Sequence, residues 1–305
     1  MKYLNILIKI YSYCINHYYR YLGKTNPRKL ASIRYTKLMG KPLDWENPID
    51  INEKINWLKF NSDTSLWPIL ADKYRVREYL KTKGLEHTLN KLYGVWEDPD
   101  DIDFDKLPDK FVLKSNNGYA TVLLVENKKA LNIQETRQML HTWLKKQYGY
   151  ETAEPHYLKI KPVIIAEEFL EESNSNSFSL IDYKVHCFNG KAYCIKLCYD
   201  RKIHHAPKFE IYTTDWQFQP DKVTPTFRGD KLFPRPEKLE EMLHYSEILA
   251  QGHPCIRVDW YIVNNKLYFG EATMTPAAGY ISFYSKDYLN ELGMQIDLKK
   301  KTHEN

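Results

Sequence analysis

Two strand-like runs near the end of the chain, at residues 256–261 and 266–273, flank a short segment centred on the polar pair Asn264-Asn265. This pattern predicts an antiparallel hairpin with a tight turn. Side chains alternate between the two faces of a strand, so four polar residues are expected to share one face. They are Arg257, Asp259, Glu271 and Thr273.

Carboxylates on adjacent rigid strands provide oxygen ligands that suit Mg²⁺, which usually completes its coordination with water and nucleotide phosphates. The hairpin face therefore predicts a magnesium site for phosphoryl chemistry. The hairpin taken alone supports an alternative equally well, namely an exposed hairpin whose charged side chains meet only water. The order of the other elements has to distinguish the two.

The charge balance and the cysteines narrow the class of protein. The 44 Lys and Arg against 39 Asp and Glu give a net charge of +5, and this small, evenly spread excess indicates no nucleic-acid partner. The five cysteines form neither CxxC pairs nor zinc-ligand spacings with histidine, which predicts neither a disulfide framework nor structural zinc. We expect such a chain in the reducing cytoplasm.

Residues 1–23 carry apolar side chains at helical spacing, interrupted by Asn5, Lys9, Asn16 and His17. This segment is too short and too polar to span a bilayer, and it lacks the small-residue cleavage site of a signal peptide. We expect a helix that packs on its own domain, in preference to one that lies on the inner face of a bacterial membrane. In the second case its lysines and arginines would meet anionic headgroups.

The periodicity along the chain predicts mixed helices and strands. Helical patterning runs through the first 80 residues and breaks near Pro27, Pro42 and Pro48, because proline forces the preceding residue out of the helix. Further helices are predicted over residues 69–83, 132–147 and 236–252. Strands are predicted over residues 92–96, 111–114, 121–125, 162–166, 182–188, 191–199 and 209–213.

Six segments with polar or charged side chains follow one another along these elements. They read ADKYRVREY at 71–79, LPDKFVLK at 107–114, IAEEFL at 165–170, DYKVHCFNGK at 182–191, RVD at 257–259 and GEAT at 270–273. In order and spacing these segments resemble the TupA-like ATP-grasp family of bacterial surface-polysaccharide loci, over residues 50–279 or so. The resemblance implies an α+β ATP-grasp fold that holds ATP between two lobes.

The resemblance also implies a division of the chain and a type of reaction. The expected parts are an extra N-terminal helical segment at 1–62, an α/β lobe at 63–108, a central lobe at 109–172 and a C-terminal lobe with the magnesium site at 173–305. Members of the family activate a carboxylate as an acyl phosphate, which an amine or a thiol then attacks.

Nucleotide contacts follow from the same resemblance. They are Lys73, Lys114, Ser115, Asn116, Gly118, Glu167, Glu168, Phe169, Leu170, Asp182 and Lys184. The two lysines Lys73 and Lys114 are expected on the α- and β-phosphates, although lysines that only meet solvent show the same pattern. Residues 167–170 would form the hinge beside adenine, with Glu168 at its amino group, and Asp182 would bind the ribose hydroxyls.

The catalytic and metal residues are implied in the same way. Asp259 and Glu271 would hold Mg²⁺ at the β- and γ-phosphates. Thr273 stands where many ATP-grasp enzymes have asparagine, and it is a weaker, neutral oxygen ligand. Lys184 is expected to reach the phosphates or the acyl phosphate, and Arg257 to clamp the acyl phosphate or the tetrahedral intermediate.

One loop departs from the family pattern. The loop after the second lysine is often glycine-rich, so that its backbone N–H groups close over the phosphates. Here residues 115–121 contain Gly118 as their one glycine and carry the bulky Tyr119 and the β-branched Thr121. This composition predicts either a loop that approaches ATP through its side chains or a protein that binds nucleotide poorly.

Two further clusters have open interpretations. A basic group either receives an anionic acceptor, such as a uronic acid, or meets solvent. It comprises His186, Arg201, Lys202, His204 and His205. The aromatic residues Tyr280, Phe283 and Tyr284 suit stacking on a sugar ring, but packing within the fold is the favoured interpretation.

These patterns predict an ATP- and Mg²⁺-dependent ligase that joins a carboxylate to an amine on a cell-surface polysaccharide or its precursor. The expected substrates are a uronic-acid-containing glycan and an amino acid. One alternative is a kinase or glycosyltransferase of a polysaccharide locus. Another, suggested by the glycine-poor loop, is a non-catalytic module that binds glycan or nucleotide.

Overall fold

The computed structural model describes residues 2–171, 180–199 and 207–299, with side chains from residue 13 onward. The Ser- and Asn-rich segment at 173–179 lies outside these residues, as do four members of the predicted basic group. Those four are Arg201, Lys202, His204 and His205. The described strands form two antiparallel sheets, and the helices pack on and between them.

The N-terminal segment folds into α1 (Lys2–Thr25), α2 (Pro27–Met39) and α3 (Ile51–Asn61), with breaks at the predicted prolines. Asn26 caps α2 by accepting a hydrogen bond of 2.9 Å from the backbone N–H of Lys29. Asp50 caps α3, and Glu53 returns a hydrogen bond to the backbone of Asp50. Each cap satisfies amide groups that the first helical turn leaves unpaired.

The helix predicted over residues 69–83 is wrong in one respect, because the structure has two helices there. They are α4 (Trp67–Leu70) and α5 (Val76–Thr82). Between them the Asp72 carboxylate accepts hydrogen bonds from the backbone N–H groups of Tyr74 and Arg75, at 2.9 and 3.1 Å. This Asx-type turn diverts the chain and places Lys73 outside any helix. Gly84, at φ +71°, follows the end of α5.

The first sheet has the strand order β1-β4-β2-β3. Its strands are β1 (Leu92–Trp96), β2 (Phe111–Ser115), β3 (Val122–Val125) and β4 (Ile164–Glu168). The helices α6 (Ile133–Leu144) and α7 (Tyr148–Thr152) lie between β3 and β4 in sequence. Leu140 of α6 is buried in one cluster with Phe111 and Leu113 of β2. Strand β4 runs two residues beyond its predicted end and includes Glu167 and Glu168.

The second sheet has the strand order β7-β6-β5-β8-β9. Its strands are β5 (Asp182–Phe188), β6 (Lys191–Tyr199), β7 (Lys208–Thr213), β8 (Cys255–Val263) and β9 (Lys266–Thr273). The predicted hairpin is confirmed, with Asn264 and Asn265 at φ +49° and +57° in the turn between β8 and β9.

One face of this second sheet is apolar and packs on α8 (Leu239–Ala250). The indole N–H of Trp260, on β8, donates a hydrogen bond of 2.8 Å to Ser246 of α8. Because residues alternate along β5, β6 and β8, their polar side chains point to the opposite face. The last helix, α9 (Lys286–Met294), packs against α3.

Helix α1 packs on the rest of the chain, as the favoured interpretation predicts. Tyr19 and Leu22 are buried, and a methyl group on Gly23 would lie 1.9 Å from the carbonyl oxygen of Tyr150. In the portion of the chain that the structure describes, no helix combines the length and apolar character needed to cross a bilayer. Membrane contact by residues 1–23 and the lobe boundaries at 62, 108 and 172 stay predictions.

Candidate active site

The four polar residues of the hairpin share one face. Arg257 lies opposite Thr273, and Asp259 lies opposite Glu271. The Arg257 guanidinium binds both oxygens of Asp259, with Nε 2.6 Å from Oδ1 and Nη2 2.8 Å from Oδ2. The same Nη2 lies 2.8 Å from Glu271 Oε1 and 3.1 Å from Thr273 Oγ1. Arg257 therefore joins the two strands across the predicted metal face.

The burial of these side chains excludes the alternative of an exposed hairpin whose charged residues contact only water. Asp259 is 1% exposed and Arg257 is 8% exposed, whereas the Glu271 side chain keeps 41% exposure. Charged side chains are rarely buried this deeply unless they are paired. The hairpin thus has a buried charged centre with one carboxylate that reaches solvent.

Strand β5 adds two more charged residues to this centre. The Lys184 ammonium lies 3.2 Å from Asp182 Oδ2 and also binds Asp259 Oδ2. Burial alone would raise the pKa of the Asp259 carboxyl, but Arg257 and Lys184 hold it well below its usual value. Burial would likewise lower the pKa of Lys184, and Asp259 reverses that effect and raises it. Asp259 and Lys184 are therefore both charged at neutral pH.

The residues present fit a magnesium ion in their chemistry. Asp259, Glu271 and Thr273 place carboxylate and hydroxyl oxygens around one point, which is the donor set that Mg²⁺ prefers. A positive group already lies among these oxygens, since the Arg257 guanidinium bonds to all three residues. A bound cation would therefore share its carboxylates with Arg257.

A second charged group lies at the first sheet. The Glu167 carboxylate forms two ion pairs, with Lys114 at 2.7 Å from Oε2 and with Arg77 at 3.1 Å from Oε1. Burial would raise the pKa of this carboxyl, but Lys114 and then Arg77 bring it below its usual value. Lys114, predicted on a phosphate, is thus held in an ion pair, and its side chain is 24% exposed.

The predicted hinge, residues 167–170, begins with Glu167 of this charged group. The Glu168 carboxylate accepts a hydrogen bond of 3.2 Å from the backbone N–H of Lys91, next to β1. Phe169 and Leu170 are half-buried. The Glu168 side chain is therefore turned toward the neighbouring strand in this conformation, and a contact between the hinge and adenine stays a prediction.

Long-range contacts hold the glycine-poor loop in place. Asn116 donates to Asp72 at 2.9 Å and accepts from the backbone N–H of Val163 at 2.8 Å. Ser115 and Thr121 join their hydroxyls across the base of the loop at 2.6 Å. The loop therefore has a defined shape that polar side chains, instead of glycines, maintain.

Lys73 connects this loop with the second sheet. Its ammonium donates to the carbonyl oxygen of Gly118. Burial lowers the pKa of Lys73, and the nearby Glu271 carboxylate acts in the opposite direction. Lys73 therefore lies within electrostatic reach of both the loop and the metal face, which brings the two halves of the predicted site together.

The sequence interpretation missed three residues near this site. Arg77 holds Glu167 from α5, although Lys73 is the one residue of the 71–79 segment with a predicted role. The hydroxyl of Tyr157 has a strongly raised pKa, first from burial and then from the charges of Glu154 and Glu271. Lys196 on β6 lies opposite Lys184. Their positions depend on contacts between distant segments, so no local pattern signalled them.

The secondary clusters are partly corrected. His186 is 1% exposed on β5 and bonds to the Tyr284 hydroxyl at 3.1 Å, so its place in an exposed basic group is wrong. Tyr280 and Tyr284 are buried as well. For these two tyrosines the packing interpretation is confirmed.

A comparison with protein-family models identifies the family of this chain. The family model described as TupA-like ATPgrasp matches residues 53–297. The chain therefore belongs to the TupA-like ATP-grasp family and has its α+β ATP-grasp fold. The search of curated proteins returned no match.

Solved structures of ligases resemble the chain distantly. D-alanine-D-alanine ligase from Helicobacter pylori is 16% identical with a TM-score of 0.43, over 81% of this chain and 69% of the ligase. Phosphoribosylamine-glycine ligase from Thermotoga maritima is 13% identical with a TM-score of 0.44, over 72% of this chain and 52% of that ligase. Likenesses of this size carry no argument about the reaction or substrate of this chain.

Proposed function

We propose that this protein is an ATP- and Mg²⁺-dependent ligase that activates a carboxylate as an acyl phosphate and joins it to an amine. The observation that carries the proposal is the buried face on which Arg257 binds Asp259 and Glu271, with Lys184 beside it. Such a set of fixed charges suits phosphoryl transfer, where catalysis is mainly positioning and neutralisation of charge. Membership of the ATP-grasp family supports ATP as the phosphoryl donor.

The metal ligands would be Asp259, Glu271 and Thr273. A bound Mg²⁺ would neutralise the charge that develops on the β- and γ-phosphates during transfer. Arg257 is held rigidly by Asp259, so its guanidinium would orient the acyl phosphate without needing to be ordered first. Lys184 would hold the same phosphate from β5.

The phosphate contacts of the first sheet would come from Lys73, Lys114 and the loop residues Ser115, Asn116 and Gly118. Lys114 is paired with Glu167 in this structure, so ATP would have to share or replace that ion pair. The hinge at 167–170 would contact adenine. Asp182 would accept hydrogen bonds from the ribose hydroxyls, and these would compete with its contact to Lys184.

The substrates we propose are a uronic-acid-containing glycan and an amino acid, in the bacterial cytoplasm. Support comes from the resemblance to proteins of surface-polysaccharide loci. The amide would form on the polysaccharide or its precursor.

The test is Mg²⁺-dependent ATP turnover with a panel of uronic acids and amino acids, assayed for ADP, AMP and phosphate. Release of ADP and phosphate only when both substrates are present, and its loss in Glu271→Ala, supports the ligase. Glu240→Ala is the control, because this glutamate is 69% exposed on α8. ADP with phosphate retained on a sugar would mean a kinase. Neither turnover nor a thermal shift with ATP would mean a binding module.

A further inference from the structure

Lys196 lies on the polar face of the second sheet, at the end of a row of charged residues. The row is set by strand register: Lys196 is opposite Lys184, Lys184 is opposite Asp259, and Asp259 is opposite Glu271. Neighbouring strands lie about 4.8 Å apart, so roughly 10 Å separates the backbones of Lys196 and Asp259. Lys196 thus borders the metal face on the side away from Glu271.

Lys196 is buried among aromatic side chains. The residue is 4% exposed, and its ammonium nitrogen lies 4.4 Å from the ring centre of Phe209 and 4.2 Å from that of Phe283. Within the described part of the chain, no hydrogen-bond acceptor or carboxylate pairs with it. A lysine buried without a partner is rare, because desolvation of its charge is costly.

The other groups on this face are already engaged. Lys184 binds Asp182 and Asp259, and Arg257 binds Asp259. His186 bonds to Tyr284. Burial and the neighbouring cations lower its pKa far below the usual histidine value, which makes it a weak base. Among the described cations of this face, Lys196 is left as the one that can gain or lose a proton without breaking an ion pair.

The protonation of Lys196 suits proton transfer near neutral pH. Burial lowers the pKa of its ammonium to about 7, and the cations Arg257 and Lys184 act in the same direction. Cys198 and Asp259 act weakly in the opposite direction. A general base works best when its pKa lies close to the working pH, and burial is how enzymes bring lysine into that range.

We propose that Lys196 is the general base that takes a proton from the incoming amine substrate. This role rests on the proposed ligase function. The substrate arrives as an ammonium ion and passes one proton to the neutral Lys196 amine. The lone pair of the substrate nitrogen is then free to attack the acyl phosphate. The carbon–nitrogen bond forms, the carbon–oxygen bond to phosphate breaks, and phosphate leaves with that electron pair and the second amine proton.

Replacing the amine substrate with hydroxylamine distinguishes a role of Lys196 as base from a role in activating the carboxylate. Hydroxylamine is largely unprotonated at neutral pH, so it attacks an acyl phosphate without a base and gives a hydroxamate. The experiment supplies Mg²⁺-ATP and glucuronate, or another uronic acid accepted in the turnover assay, with either alanine or hydroxylamine. Amide and hydroxamate are measured for the wild type and for variants at Lys196.

Three variants divide the possible roles. Lys196→Met keeps the length of the side chain but removes both charge and base. Lys196→Arg keeps a cation that cannot act as a base at neutral pH. Lys191→Met is the matched control, because Lys191 lies on the same strand with its side chain 77% exposed. Melting temperatures with and without Mg²⁺-ATP verify that each variant folds and binds nucleotide.

We expect both Lys196 variants to keep hydroxamate formation and to lose amide formation by on the order of 10²- to 10⁴-fold, with Lys191→Met unchanged. Amide formation retained in Lys196→Arg would overturn the base and show that the positive charge alone matters. Parallel loss of amide and hydroxamate would also overturn it. A wild type that makes no hydroxamate with any uronic acid rejects the ligase function itself, and the role of Lys196 with it.

Discussion

The β8–β9 hairpin and the loop at residues 115–121 are both proposed to contact Mg²⁺-ATP, but they are held together differently. In the hairpin, Arg257 contacts residues that are two, 14 and 16 positions away, all on two adjacent strands. In the loop, Asn116 contacts Asp72 and Val163, which are 44 and 47 positions away. The hairpin site is therefore made by local register, whereas the loop exists only where three distant segments meet.

The two regions also differ in the kind of interaction that stabilises them. The hairpin depends on buried charges that compensate one another, and removal of one leaves the others unpaired. The loop depends on neutral hydrogen bonds and close packing, whose individual contributions are smaller. Mutations of the buried charged residues in the hairpin should therefore have larger effects than mutations in the loop.

The largest effect is expected from Asp259→Ala. This change leaves the buried Arg257 guanidinium without its bidentate partner, so the free energy of unfolding should fall by about 3–5 kcal/mol. Urea denaturation measures the loss. Glu271→Ala is the control, because that side chain is 41% exposed and its pair should contribute only about 1 kcal/mol or less. Equal losses in the two variants would mean that burial does not distinguish these carboxylates.

A smaller loss of stability is expected from Asn116→Ala in the loop. The change leaves the buried N–H of Val163 without its acceptor, and we expect the free energy of unfolding to fall by about 1–3 kcal/mol. Weaker ATP binding, measured by calorimetry, should accompany it. The neighbour Asn117 is the control, since its Oδ1 has no hydrogen-bond partner among the described residues. If Asn117→Ala weakens ATP binding as strongly, the contacts of Asn116 are not what shapes the loop.

Gly118→Ala should destabilise the loop through overpacking. An added methyl group would lie 2.1 Å from the ring of Tyr148, so the ring or the loop must move, at a cost of about 1–2 kcal/mol. Thermal unfolding of the single variant and of Gly118→Ala combined with Tyr148→Ala tests the cause. If the double variant shows no relief of the glycine effect, contact with the Tyr148 ring is not the reason for it.

The smallest effect is expected from Ser115→Ala at the base of the loop. The hydroxyls of Ser115 and Thr121 are 2.6 Å apart and buried, so loss of this bond should cost about 1 kcal/mol. A double-mutant cycle with Thr121→Val gives the coupling between the two hydroxyls by chemical denaturation. Zero coupling would mean that neither hydroxyl supports the other.

Much of the second sheet could be predicted because its information is local. The strands over 182–188 and 191–199 have the predicted bounds, since alternation and the Asn189-Gly190 turn mark them clearly. The helix at 69–83 failed because periodicity does not register a side chain that competes for backbone amides. Asp72 does so at the point where the predicted helix divides.

The sequence alone is enough to infer the family, the order of the elements and the face shared by Arg257, Asp259, Glu271 and Thr273, because strand alternation and a tight turn are short-range rules. Which charges are buried, and which residues meet across the site, can be seen only in the folded structure. The pairing of Glu167 with Arg77 spans 90 positions, and the aromatic burial of Lys196 involves Phe283 from beyond the last strand. Such contacts arise from packing between distant segments, and no local pattern of residues encodes that packing.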